Sequence, residues 1–145
     1  MDTTHFKKLE NMYLRSSTNN YYNPGIKIGK GTAEISFAVK EDFFHAARAV
    51  HGSVYFKALD DAAYFAVNSL VNECLLVTVS FNLDFIRPVS NGIIKAEGKV
   101  TQHGKKISFA ESVLHNDRNK VIARGGGTFI RSDVLLSDEI GYALQ

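Results

Sequence analysis

Apolar positions in this chain follow two periods, and the period changes along its length. Between residues 3 and 15, Phe6, Leu9, Met12 and Tyr13 recur every three or four positions, which predicts a helix. The polar stretch Ser16-Ser17-Thr18-Asn19-Asn20 then leads to Pro24-Gly25, residues that favour turns. Residues 26–40 alternate through Ile26, Ile28, Ala33, Ile35, Phe37 and Val39, which predicts a strand interrupted at Gly29–Gly31. A loop or short turn at 41–50 precedes a long predicted helix over 51–71. On it, Tyr55, Ala58, Leu59, Ala62, Ala66 and Leu70 share one face. Beyond the helix every run has a period of two. Val77, Val79, Phe81, Leu83 and Phe85 alternate with Thr78, Ser80, Asn82 and Asp84, and Pro88 ends that strand. Further strands are predicted over 92–103, 106–115 and 120–131, and the tail 132–145 is expected to hold a short helix. The predicted order is one strand, one long helix and a four-strand antiparallel meander. Such an order requires an α+β fold in which a curved antiparallel sheet wraps a central helix, and the alanines of that helix let the sheet approach closely.

Composition narrows the picture. A length of 145 residues and 45% hydrophobic content suit one domain over 1–145, with 1–22 as N-terminal helix and linker and 132–145 as a tail. A net charge of +2 is too mild to argue for nucleic acid, yet would not repel a phosphorylated ligand. The single Cys74 excludes an intramolecular disulfide, and His5, His103 and His115 lack ligand spacing, so no metal is expected. No apolar run is long enough to span a bilayer, and Met1–Lys8 lacks the apolar region of a signal peptide. These features predict a soluble, cytoplasmic protein.

The richest segment runs from His51 to Ser69. It opens on His51-Gly52 and places Asp60 and Asp61 in an otherwise apolar, alanine-rich helix. Charge there is costly unless it has a partner or a task. The helix start also carries free N–H groups that favour an anion. By helical angle, Asp60 shares a flank with Ser53, Phe56, Tyr64 and Val67, so its carboxylate is expected to be partly desolvated and more basic. Asp61 shares its side with Lys57, Tyr64 and Asn68 and is expected to be a solvated, salt-bridged bystander whose replacement by Asn matters little. The run Gly125-Gly126-Gly127 inside a strand marks a bulge or the close approach of another backbone.

This layout resembles the hotdog-fold acyl-CoA thioesterases, in particular the branch associated with phenylacetate degradation. The resemblance lies in His51-Gly52, in Asp60 nine residues after His51, and in the strand Thr78–Pro88 that closes on Arg87-Pro88. The stretches Gly98–Gly104 and Ala123–Phe129 add to it, and it covers residues 26–131. It implies hydrolysis of an acyl- or aryl-CoA thioester to the acid and free CoA, with no cofactor. Asp60 would be nucleophile or general base, the Gly52 N–H the oxyanion donor, and Thr78 a hydroxyl bonded to the carboxylate or water. His51 would orient the thioester or hold the loop. It also implies a homodimer, with tetramer formation as a dimer of dimers, whose sites pair His51 and Gly52 of one subunit with Asp60 of the other. Candidate contacts to substrate and CoA phosphates are Ser53, Arg87, Lys105, Lys106 and Arg124, since Arg suits phosphate through its forked donors. The chain departs from the family in three places. His45 stands where many relatives have Asn, Arg48 where many have Gly, and Ser53 replaces the second Gly of the motif. These departures keep open a second reading, a non-catalytic acyl-CoA-binding or regulatory hotdog protein.

Overall fold

The computed structural model describes residues 3–145; Met1 and Asp2, the first two residues of the predicted N-terminal segment, lie outside it. Helix α1 (Thr3–Arg15) forms where the three-and-four spacing predicts it and buries Phe6, Leu9, Met12 and Tyr13. A short helix, α2 (Asn19–Tyr22), ends on Asn23 in the left-handed region. The alternating segment 26–40 is a hairpin rather than one broken strand. Its arms are β1 (Gly25–Gly29) and β2 (Thr32–Ala38), and Gly31 turns it at φ 72°. Then come α3 (Gly52–Asn68), β3 (Cys74–Phe85), β4 (Ile93–His103), β5 (Ile107–His115) and β6 (Val121–Leu135). The tail carries one short 3-10 turn at Asp138–Ile140.

Three boundaries differ from the sequence reading. Helix α3 stops at Asn68, so Leu70 lies in the turn after it. Strand β3 starts three residues before Val77, and β6 continues four residues past Arg131.

The meander needs a larger correction. The six strands form one sheet in the order β1-β2-β4-β5-β6-β3, every neighbouring pair antiparallel. Only β4, β5 and β6 form a meander. Strand β3 crosses to the far edge and pairs with β6, while β4 returns beside β2. Alternation reports which face a side chain takes, not which strand lies next to it, so the crossover left no trace in the pattern.

Helix α3 lies along the inner face of this sheet. Ala58, Leu59, Ala62 and Ala66 are fully buried against Ile35, Phe37, Ile94, Ala96 and Leu114. Gly98 on β4 is the point of closest approach, where any Cβ would collide with the Ala62 carbonyl. Ser112 on β5 donates its hydroxyl proton to the Leu59 carbonyl at 2.8 Å. Helix α1 covers the opposite side, with the ring of Tyr13 edge-on to Phe65 at 5.0 Å between centroids. The result is one long helix wrapped by a curved antiparallel sheet.

Candidate active site

Two regions of α3 carry the candidate residues. At its start, His51 adopts an extended backbone and serves as the N-cap. Its Nδ1 accepts the Ser53 N–H at 3.0 Å and lies 2.8 Å from the Ser53 hydroxyl, so a neutral ring keeps its proton on Nε2. The Val54 N–H reaches the His51 carbonyl at 3.0 Å. With those two donors engaged, the Gly52 N–H is the one left at the helix end. A Cβ on Gly52 would lie 3.0 Å from the Phe85 ring, so glycine keeps the backbone close to that aromatic wall.

The approach loop is tight. Phe44 and Val50 bridge across it, and Ala47 N–H donates to His45 Nδ1 at 3.1 Å. Arg48 sits at φ 63°, in the left-handed region that glycine occupies without strain. Glycine would take this conformation freely, whereas Arg48 fills it at a cost. The imidazole rings of His45 and His51 lie 6.4 Å apart. His45, Gly52, Tyr55, Phe85 and Arg87 line an open pocket of about 450 Å³.

The second region lies further along the helix. Asp60 accepts a hydrogen bond from the Thr78 hydroxyl at 3.0 Å. Burial raises the Asp60 carboxyl to about 6. The charge of Asp61 pushes the same way, while the Thr78 bond and Lys57 oppose it. Thr78 reaches Asp60 because of a bulge in β3. The register against β6 shifts between Thr78 and Ser80, so Leu76 and Thr78 face inward before it and Phe81 and Leu83 after it. Val77 and Val79, assigned to the apolar parity by simple alternation, are 47% and 56% exposed.

Asp61 is not the solvated bystander expected. Its Oδ2 accepts from Lys57 Nζ at 2.6 Å and from the Tyr13 hydroxyl at 2.6 Å, and its side chain is only 17% exposed. Burial raises its carboxyl, against the pull of Lys57 and the Tyr13 bond. The Tyr13 hydroxyl is raised far above the usual phenol range by burial and by this carboxylate. The salt bridge to Lys57 was legible as an i,i+4 pair, whereas Tyr13 comes from α1 and carried only a core signal. Tyr64, one turn beyond Asp60, exchanges two hydrogen bonds with the Leu76 backbone at 3.0 Å and is pushed up to about 12 by burial. Asp60, Asp61, Thr78, Tyr13, Tyr64 and Leu75 line a cavity of about 380 Å³.

The four proposed phosphate contacts are not gathered in one place. Lys105 and Lys106 sit at the exposed β4–β5 turn, at the end of the sheet where Thr78, Phe129 and Ser108 form one row. Arg124 lies near the other end, 3.7 Å from Asp84, and Arg87 donates to the Val121 carbonyl at 2.6 Å. Five residue steps along β6, about 17 Å, separate the two rows. Ser53 is held by its contacts to His51. A larger groove of about 650 Å³ crosses β1, β2, β4 and β5 on the face turned from α3, among Lys27, Glu34, Glu97, Lys99 and Glu111. None of the candidate site residues lines it.

Among the described residues no cluster of His, Cys, Asp or Glu could hold a metal ion, and no helix is long and apolar enough to cross a membrane. The fold and its paired helix features define a hotdog domain, and comparison with known proteins gives its family. The chain belongs to the thioesterase superfamily, whose family model matches residues 48–123, just over half of the 145. A "putative esterase" of Saccharolobus solfataricus is 26% identical over 104 residues, covering 72% of this chain and 69% of that protein. Among solved structures, the E. coli PaaI protein from the phenylacetic acid degradation operon superposes with a TM-score of 0.82 at 22% identity. That match covers 92% of this chain and 99% of that one. A thioesterase of Haemophilus influenzae matches with a TM-score of 0.75 at 18% identity, covering 83% and 85%.

Proposed function

We propose that this protein hydrolyses an acyl- or aryl-CoA thioester, with Asp60 as the reacting carboxylate. The observation that carries the reading is the Asp60–Thr78 pair, a carboxylate raised by burial yet held by a hydroxyl at the wall of a cavity. Such a group is poised to change protonation near neutral pH, as a nucleophile or general base needs. Hydrolysis also requires donors for the oxyanion, and the Gly52 N–H at the positive end of α3 suits that task.

Within one chain these parts are apart. Gly52 and Asp60 are eight residues along one helix, about 12 Å, and they line different pockets. A second copy pairing through the free edge of β3 would bring the helix start of one subunit toward Asp60 of the other. The long exposed edge, with Val77 and Val79 bare, favours such pairing over a lone chain. In this reading His51 holds the Gly52 backbone, His45 lies beside the oxyanion end, and Ser53, Arg87, Lys105, Lys106 and Arg124 are the groups available to CoA. The two-subunit arrangement lets cations from both ends of the sheet serve one ligand.

Release of free CoA from a panel of acyl-CoAs, followed with a thiol reagent, tests the proposal. Turnover should appear for at least one acyl group and fall at least a hundredfold in Asp60→Asn, with the variant folded and its oligomeric state unchanged. Binding of acyl-CoA without thiol release would instead support the non-catalytic reading. Wild-type turnover in Asp60→Asn would remove the residue assignment.

A further inference from the structure

The cavity beside Asp60 has a wall that lies outside the family core. Met12 and Tyr13 of α1, Ser16 and Asn19 after it, and Ile140 of the tail all line it, and all fall outside residues 48–123. Beside the cavity this wall is fastened to the catalytic helix at Asp61, while His5 of α1 meets the far end of that helix at the Asn68 carbonyl, 2.9 Å away. The Tyr13 hydroxyl and Lys57 Nζ converge on Asp61 Oδ2, each at 2.6 Å. The tail braces α1 from behind, with Arg15 donating to the Gly141 carbonyl at 3.2 Å and Asn11 to the Ala143 carbonyl at 2.9 Å. A carboxylate with so little exposure is costly unless its oxygens are occupied, and removing one partner of such a pair is strongly felt. Asp61 is thus committed to holding α1.

Resting on the hydrolase reading, we infer that Asp61 is a positioning residue that latches α1 over the cavity through Tyr13, so that Met12 and Ile140 set the size of the acyl group admitted. A cavity of about 150 Å³ holds benzene. The 380 Å³ here therefore has room for a ring or a medium-length chain against this wall. The apolar side chains that would meet the far end of the acyl group are Met12, Phe65, Leu75 and Ile140.

The test measures kcat and KM separately for straight-chain acyl-CoAs from acetyl to palmitoyl. The proteins compared are the wild type and Tyr13→Phe, Asp61→Asn and Met12→Ala, each checked for folding by thermal unfolding. Loosening or shortening the wall should raise the ratio of long-chain to short-chain kcat/KM at least tenfold, mainly through KM. A merely structural contact would lower all substrates by one factor. An unchanged ratio in the folded variants overturns the inference. Tyr13→Phe alone suffices if the other two fail to fold, since it removes only the hydroxyl. If the wild type releases no CoA at all, the hydrolase reading fails, and calorimetric binding of S-alkyl-CoA thioethers of the same lengths reads the latch independently. The same shift in length preference supports it there, and an unchanged preference overturns it.

Discussion

Asp60 and Asp61 point about 100° apart on one helix, and that angle sends them to different partners. Asp60 meets one hydroxyl and a cavity; Asp61 meets an ammonium and a phenol. If Asp60 acts as its anion, kcat/KM should rise with pH through about 6. Thr78→Val removes a bond that favours the anion, so the midpoint should move upward; a pH profile fixed in place would exclude Asp60 as the titrating group. The same shift acts on stability. The folded chain holds the Asp60 proton more tightly than the unfolded chain, whose carboxyl titrates near 4. Its stabilising contribution is complete below about 4 and is lost as pH rises through about 6. Asp60→Asn should therefore melt above the wild type at pH 8, with the gap narrowing at pH 5. Arg48 offers a separate test. At φ 63° it carries strain that Gly would not, so Arg48→Gly should raise stability by about 0.5–1 kcal/mol in chemical denaturation. The sequence marked Asp60 by its nine-residue spacing from His51, which carries the resemblance, and by a helical angle and local composition that decide its surroundings. It misjudged Asp61 because the deciding partner, Tyr13, lies 48 residues away.

At the scale of elements, close approach governs the geometry. Gly98 lets β4 press on α3 at Ala62, and Gly98→Ala should cost about 1–3 kcal/mol by forcing the layers apart, measurable as a lowered denaturation midpoint. The glycine run of β6 works similarly. A Cβ on Gly125 or Gly127 would meet the Phe81 ring at 2.7 and 2.6 Å, and that ring stands edge-on to Phe56 of α3 at 5.6 Å. The close approach expected at this run is therefore that of Phe81 and the β3 backbone. Periodicity and glycine placement made the elements readable. Strand partners were not readable, because pairing is settled by contacts between distant segments, and the bulge at Thr78–Ser80 reverses the parity that alternation assumes.

For the whole molecule, the proposed arrangement draws one site from two chains, since Gly52 and Asp60 open to different pockets. Blunting the free edge of β3 should separate them. Val79→Lys should shift sedimentation toward a monomer and lower turnover in proportion, and a dimer that persists with full activity would place the contact elsewhere.

The crossover of β3 also has a temporal side. Its strand neighbour among the described strands is β6, and Thr78 lies opposite Phe129, 51 residues later. On a growing polypeptide, α3 and its acid emerge long before anything exists to seat the hydroxyl that must meet it. Contacts of such long range slow folding. The Asp60–Thr78 pair is thus assembled only when the final strand arrives, and a chain cut short before Val121 would keep its acid and lose the strand that presents Thr78.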